Sequence, residues 1–407
     1  MRQQLLDCFY HTLELIHGQA CVQKALSAHP LLFRQCRVIA IGKAAQAMAQ
    51  GADQILAENI KQGLLITKFH HSDARALSTQ WQCYEAAHPI PDETSLAAGR
   101  QLLKFITEDD DLPVLFLISG GASSLVEVLP ESTSLKQWQK LNEWLLASGL
   151  GINKINVIRK KVSQIKGGKL LSYLQGRETH ALLISDVPGD HLNMIGSGLL
   201  FPTQDDSISI VDSGLPDWMT QMIAEGQQYK NTEQKGLLSS YEIITNNRMA
   251  LQSAKEFLTA LGKPIFLHEN FLAGDAEQVG RELANYLSDD AESGFHIWGG
   301  ETTVVLPDIP GRGGRNQHLA LSVAVKLSGN KTITVLVAGT DGSDGPTEDA
   351  GGLVDGGTLA RGTLSGLDAV DCLANADSGH FLEAAGDLLY TGPTGTNVMD
   401  LIIAVKQ

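Results

Sequence analysis

Val114-Leu-Phe-Leu-Ile-Ser-Gly-Gly-Ala-Ser-Ser-Leu-Val126 opens with five apolar residues directly after Pro113 and then turns on Gly120-Gly121. The apolar run suits a strand buried on both faces of a parallel sheet. Glycines without Cβ atoms let a ligand approach the backbone closely. Ser123 or Ser124 then falls near the start of a helix, a favoured N-cap position. A buried strand ending in a Gly-Ser turn at a helix start aims several N–H groups at one spot, which favours an anion such as phosphate. An ordinary tight strand-to-helix turn has the same pattern, and neither a Walker A nor a dinucleotide motif is present to decide between them.

Working outward, Arg37-Val-Ile-Ala-Ile41 and Thr179-His-Ala-Leu-Leu-Ile-Ser185 repeat the buried-strand pattern. Helical stretches alternate with these strands, which predicts a doubly wound, mostly parallel α/β sheet. In such sheets ligands collect beyond the carboxyl ends of the strands. Three charged or glycine-rich corners fall there: Gly42-Lys43, the Gly120 turn and Asp186-Val-Pro-Gly-Asp190. Lys43 is expected in the first turn of an Ala-rich helix, where a cation opposes the macrodipole unless it faces an anion. The two aspartates could bind a hard cation or orient a hydroxyl, although Pro-Gly-Asp is also good turn chemistry. Ile152 to Tyr173 carries Arg159 and Lys166, either as a solvated basic face or as cations presented to an anionic ligand.

At 407 residues the chain exceeds one typical core, so two α/β domains are expected, 1–235 and 236–407. The crossover is placed in the polar stretch Pro202 to Lys235. Apolar content of 43% and charged content of 19% describe an ordinary globular protein. No apolar run reaches the length of a membrane span, and the amino terminus lacks the features of a signal peptide. Five scattered cysteines, none in a Cys-x-x-Cys pair, fit a reducing cytoplasm and argue against structural zinc. A net charge of −15 counts against nucleic acid as a partner.

The second half repeats the theme. Trp298-Gly-Gly-Glu-Thr-Thr echoes Ser119-Gly-Gly-Ala-Ser-Ser, which suggests a second Gly-Gly turn. Gly311-Arg-Gly-Gly-Arg-Asn-Gln317 reads as an open backbone with two mobile guanidinium forks, suited to clamping carboxylate or phosphate. Gly339-Thr-Asp-Gly-Ser-Asp-Gly-Pro-Thr347 places Asp341 and Asp344 in turn positions, without the glutamate an EF-hand requires. Leu389-Tyr-Thr-Gly-Pro-Thr-Gly-Thr-Asn397 is a last Gly/Thr loop. The inventory has no Gly-x-Ser-x-Gly, no His-Glu-x-x-His and no Gly-x-Gly-x-x-Gly. It matches phosphoryl transfer, which relies on positioning and charge neutralisation by N–H groups, Lys/Arg and carboxylate-held Mg2+.

Taken together, Gly42-Lys43-Ala-Ala, His88-Pro-Ile-Pro-Asp92, Ser119-Gly-Gly-Ala-Ser, Asn156-Val-Ile-Arg159 with Lys166-Gly-Gly, Ser185-Asp-Val-Pro-Gly-Asp190, Gly299-Gly-Glu-Thr-Thr, the Arg312/Arg315 loop, the Asp341/Asp344 loop and Thr391-Gly-Pro-Thr-Gly-Thr-Asn-Val resemble the glycerate 2-kinase family, whose C-terminal part is called the MOFRL domain. The resemblance runs from about Lys43 to Asp400. It implies ATP-dependent phosphorylation of D-glycerate to 2-phosphoglycerate with Mg2+, in a cleft between a larger Rossmann-like N-terminal domain and a C-terminal MOFRL-like domain. It points to Lys43, Asp186 or Asp190, and Arg315 or Arg312 as catalytic. Ser119, Gly120, Gly121, Ser123, Ser124, Lys166, Thr394 and Asn397 are the expected phosphate-side residues. Arg159, Glu301 and Asn316 are expected on the sugar-acid side, and Asp186, Asp341 and Asp344 as metal candidates. Partners are then small molecules, with a homodimer allowed for. Two other readings stay open: an NAD(P)H-dependent hydroxypyruvate reductase, and a non-catalytic sugar-acid or nucleotide binder.

Overall fold

Six strands build the first sheet: β1 (Cys36–Ile41), β2 (Ile60–Lys68), β3 (Trp81–Ala86), β4 (Val114–Ile118), β5 (Thr179–Ile184) and β6 (Leu238–Thr245). The computed structural model describes residues 1–29, 35–108, 111–148, 150, 152–202, 214–228 and 238–407. Strand order is β3-β2-β1-β4-β5-β6, and the β1–β2, β1–β4, β2–β3 and β4–β5 pairings are all parallel. This is the doubly wound order, with the reversal between β1 and β4. Burial explains the apolar runs: every residue of β1, β4 and β5 is buried. Ile39, Ile41, Phe116, Ile118 and Leu183 form the core with helix Glu93–Ile106. A smaller core joins helices Leu135–Ala147, Ile152–Val162 and Asp217–Gln228 through Trp138, Leu141, Ile158 and Met222. The last of these helices lies within the stretch expected to be an irregular linker.

Seven strands build the second sheet: β7 (Ile265–Leu267), β8 (Leu272–Asp275), β9 (Gly294–Thr303), β10 (Ile333–Gly339), β11 (Asp349–Asp355), β12 (Leu388–Tyr390) and β13 (Asp400–Lys406). β13 pairs antiparallel with both β9 and β10. β9 and β10 therefore run the same way, linked through helix Arg315–Lys326, and the closing strand is inserted between them. Gly299-Gly300 lies inside β9 rather than in a turn, so the expected second Gly-Gly turn is not formed. The physical reason is packing: a Cβ on Gly299 would overlap Asn247, whose Nδ2 donates to Val398 and Asp400 carbonyls.

Contacts divide the chain into Cys21–Ile244 and a second unit of Met1–Ala20 with Thr245–Gln407. The expected boundary at 235/236 lies outside the described residues. β6 belongs to the first sheet, and the amino-terminal helix Arg2–Leu15 belongs with the C-terminal unit. Leu5, Cys8, Phe9 and Leu13 bury one face of that helix. Arg2 bridges Asp355 and Asp387, which Arg361 also bridges, so two guanidiniums and two carboxylates close a ring. Among the described residues no helix is long and apolar enough to cross a membrane.

β9 also carries His296, fully buried and stacked near Phe266, His268 and Trp298. His296 Nε2 lies 2.9 Å from the Glu292 carbonyl, so it must be the N–H that donates. Its Nδ1 is then a bare acceptor, 3.0 Å from His268 Nε2, which must carry a proton. Both rings are held neutral. Burial, aided by the neighbouring His296, pushes His268 down to about 4. A histidine pKa lowered on folding means that the unfolded chain binds more protons between the two pKa values. Stability therefore falls as pH drops from about 6.5 toward 4. The replacement His268→Phe keeps the stack on Trp298 and removes that titration. Its melting temperature, measured from pH 7.5 to 4.5, should fall less steeply than that of the unaltered protein.

Candidate active site

β1 and β4 are neighbours in register, with Ile41 opposite Ile118, so their exits Gly42-Lys43 and Ser119-Gly120-Gly121 emerge side by side at the reversal of strand order. The Lys43 N–H donates to the Gly120 carbonyl at 2.9 Å, and the Ala44 N–H donates to Ser119 Oγ at 3.1 Å. The helix begins at Ala45, so Lys43 sits in the turn just before it rather than in its first turn. Ser119 is fully buried, its hydroxyl occupied by that amide, which makes it a support for the turn. Gly121 has φ 82°, and a Cβ there would come within 3.0 Å of the His88 ring and 3.1 Å of Lys43 Cγ. Lys43, His88 and the Gly120-Gly121 backbone thus converge.

In the sequence His88 stands only within the motif His88-Pro-Ile-Pro-Asp92, with no role of its own. Its approach to Lys43 is a tertiary contact with no local signal. The helix after Gly121 is a single turn, Ala122–Leu125, too short to carry an appreciable macrodipole. Ser124 Oγ donates back to the Gly121 carbonyl at 3.0 Å, whereas Ser123 is half-buried.

β5, next to β4, delivers the Ser185-to-Asp190 turn to the same edge of the sheet. Asp186 and Asp190 are half-buried there. Asp190 adopts φ 55° and Gly189 φ 76°, a left-handed pair that side chains other than Gly, Asn and Asp rarely enter. Among the described residues no three His, Cys, Asp or Glu side chains converge as a metal cage. Mg2+ does not need one, since it takes one or two carboxylates and fills its octahedron with phosphate oxygens and water. The Asp186/Asp190 turn fits that donor set.

Lys166 and Arg159 both face Glu127. Lys166 is 3% exposed, its ammonium donating to Glu127 Oε2 and lying over the Trp138 ring. Glu127 also accepts from Ser163 Oγ at 2.6 Å. Burial lowers the Arg159 pKa against the opposing field of Glu127, and its Nε has no hydrogen-bond partner. This is an interior ionic cluster, so Lys166 is spent as a counter-ion.

The C-terminal unit assembles a second constellation. Asp400, opening β13, stands opposite Gly300 of β9 and Gly339 of β10. Arg315 opens helix Arg315–Lys326 and grips Asp400 with two bonds, Nε to Oδ2 at 2.7 Å and Nη2 to Oδ1 at 2.9 Å. Asn316 Nδ2 donates to Asp400 Oδ1 at 3.0 Å. Glu301 Oε1 stands 3.6 Å from Arg315 Nη2. Asp344 accepts the N–H groups of Asn316 at 3.1 Å and Gln317 at 2.8 Å, so it caps the helix in trans. Complete burial pushes Asp344 up to about 7, against the pull of those two N–H groups. With both oxygens engaged, Asp344 is a structural cap and not an open metal ligand. Asp341 accepts from the Ser343 N–H and hydroxyl at 3.1 and 3.2 Å. Thr394 Oγ1 donates to the Thr340 carbonyl at 2.5 Å, and Asn397 is buried just before β13.

The expected mobile arginine pair is not mobile, nor is it a pair. Arg312 is pinned by Asp349 at 2.7 Å and Glu383 at 2.6 Å, and its N–H donates to Asp377. Flanking carboxylates distant in sequence fix both guanidiniums, on different partners. Asp400, which holds Arg315, was not singled out in the sequence, because a lone aspartate opening an apolar strand carries no local motif.

Comparison with known proteins matches residues 4–216 to a family described as a domain of unknown function, DUF4147, and residues 294–400 to the MOFRL family. The chain is 38% identical over 384 residues to the D-glycerate 2-kinase of Thermotoga maritima, covering 90% of each. It is 34% identical to the glycerate 2-kinase of Pyrococcus horikoshii, covering 90% of this chain and 86% of that one. A relative in Agrobacterium vitis, 36% identical over 90% of this chain and 98% of its own, bears a hydroxypyruvate reductase name. The crystal structure of glycerate kinase from Thermotoga maritima superimposes with a TM-score of 0.87 at 34% identity, covering 100% of this chain and 99% of that one.

Gly42 is the sharpest steric test of this geometry. At φ 135° its missing Cβ would overlap both the hydroxyl and the carbonyl of Ser119. Gly42→Ala should therefore cost about 2–4 kcal/mol, combining backbone strain with overpacking. Chemical denaturation checks this. Gly176→Ala, where a Cβ would meet nothing within 4 Å, should cost no more than about 1–2 kcal/mol.

Proposed function

Because the chain belongs to the glycerate 2-kinase family built from DUF4147 and MOFRL regions, we propose that it transfers the γ-phosphoryl group of ATP to the 2-hydroxyl of D-glycerate, giving 2-phosphoglycerate and ADP. The observation that carries the chemistry is the convergence of Lys43 with the Gly120-Gly121 backbone where strand order reverses. Phosphoryl transfer asks for little covalent work from the protein, so placed charge and N–H groups suffice.

In this reading Lys43 neutralises phosphate charge, and the Gly120-Gly121 backbone lets phosphate oxygens approach closely. Ser123 and His88 border the same spot. The glycerate O2–phosphorus bond forms as the bond between the γ-phosphorus and its bridging oxygen breaks. Asp190 takes up the hydroxyl proton, carried to this edge of the sheet by the turn that follows β5. Arg315 offers a directed N–H to an anionic oxygen, with Glu301 and Asn316 beside it. Asp186 would hold Mg2+, which when bound neutralises phosphate oxygens. Thr394 and Asn397 are retained as phosphate-side candidates on the C-terminal unit. ATP as substrate and five unpatterned cysteines support a cytoplasmic setting.

The test is ADP release with Mg-ATP and D-glycerate, with phosphorus NMR locating the new ester on the 2-hydroxyl. Glycerate-independent ADP release, or none from folded protein, would sink the reading. Oxidation of NADH with hydroxypyruvate would favour the reductase reading. Lys43→Ala should lower kcat roughly 10²–10³-fold, the usual loss on removing a group that stabilises transition-state charge. Its melting temperature, measured alongside, separates a loss of chemistry from a loss of folding.

A further inference from the structure

Arg315 is unusual in three ways at once. It stands at the first position of a helix, where a cation opposes the dipole. Its guanidinium is held along one edge by a carboxylate only 2% exposed. Among the described residues its Nη1 makes no hydrogen bond, while Nε and Nη2 are both taken. Only the carboxylate of this pair is buried, the Arg315 side chain being 35% exposed, and such a pair is weak evidence of a contribution to stability. Because the guanidinium is planar, fixing the Nε–Nη2 edge fixes where Nη1 points.

Asp400 is itself anchored and cannot follow a displaced arginine. Its Oδ1 accepts from Asn316 Nδ2 at 3.0 Å, and its backbone carbonyl accepts from the buried Asn247 Nδ2 at 3.1 Å. It is locked in register between Gly300 and Gly339. The helix start is fixed independently, by Asp344 on the Asn316 and Gln317 N–H groups. Backbone and guanidinium of Arg315 are thus set by two different carboxylates.

We propose that Asp400 is the positioning residue that aims the free Nη1 of Arg315 at an anionic oxygen of the substrate. The proposal rests on the kinase reading for what that oxygen belongs to. With its charge largely balanced by Asp400, Arg315 acts as a directed donor more than as a diffuse positive charge. The neutral, isosteric Asp400→Asn keeps the shape of the site and loosens one of the two bonds.

The experiment is a double-mutant cycle on the full chain: Asp400→Asn, Arg315→Ala, and both together, each with its melting temperature. Asp400→Asn should lower kcat roughly a hundredfold, the cost of a misplaced group, with the KM for ATP little changed. In the Arg315→Ala background the same change should alter kcat by less than about twofold, the scatter expected of uncoupled changes. Additive losses, or an unaltered kcat in folded Asp400→Asn, overturn the proposal. If Asp400→Asn does not fold, Asp400→Glu keeps the buried charge and moves the carboxylate by one methylene. Unaltered kcat in that variant also overturns it. If the unaltered protein has no glycerate-dependent turnover, the kinase reading fails by itself. Asp400 is then judged on ATP and inorganic phosphate affinities of the same proteins by calorimetry. Coupling between the two substitutions supports the proposal, while additivity or binding indifferent to Arg315 overturns it.

Discussion

The absence of a Cβ at Gly42 is the constraint from which the N-terminal site follows. β1 and β4 lie side by side, and the first residue beyond β1 rests against the Ser119 hydroxyl and carbonyl with no space for a side chain. That close approach lets Ser119 accept the Ala44 N–H and lets Gly120 accept the Lys43 N–H. Two strand exits are thereby fused into one rigid corner. Any larger residue at position 42 would part them and separate Lys43 from the glycine turn.

The C-terminal unit reaches rigidity by a different route. Its site is built from charge rather than from close backbone packing. Asp400 and Asp344 are both buried, and each is saturated by donors from the start of one helix. Buried carboxylates are costly unless fully hydrogen-bonded, and among the described residues the donors to both carboxylates come from a short stretch, Arg315 to Gln317. The antiparallel insertion of β13 between β9 and β10 is what carries Asp400 to that helix. The Arg2, Asp355, Arg361 and Asp387 ring shows the same habit on a structural task, tying the amino-terminal helix to the C-terminal unit.

Several motif residues are engaged by the protein's own groups. Lys166 neutralises Glu127, Arg312 is spent on Asp349 and Glu383, and Ser119 and Asp344 satisfy backbone N–H groups. Residue type and motif membership do not distinguish such support from a group that meets a ligand. Burial separates the two lysines: Lys166 is almost fully enclosed between the Glu127 carboxylate and the Trp138 ring, whereas Lys43 is half-buried beside the Gly120-Gly121 turn.

By itself the sequence determined the parallel, doubly wound N-terminal sheet, because runs such as Val114–Ile118 can be satisfied only by burial on both faces. It also determined that Lys43, the Gly120 turn and the Asp186-to-Asp190 turn leave the same edge, since parallel strands share a direction. Only the tertiary structure decided that Gly299-Gly300 is strand, that residues 1–20 join the C-terminal unit, that His88 approaches Lys43, and that Asp400 holds Arg315. Those facts depend on partners distant in sequence, Asn247 against Gly299 or Asp400 against Arg315, whose meeting is set by strand register and by the insertion of the last strand, and periodicity along a single chain contains neither.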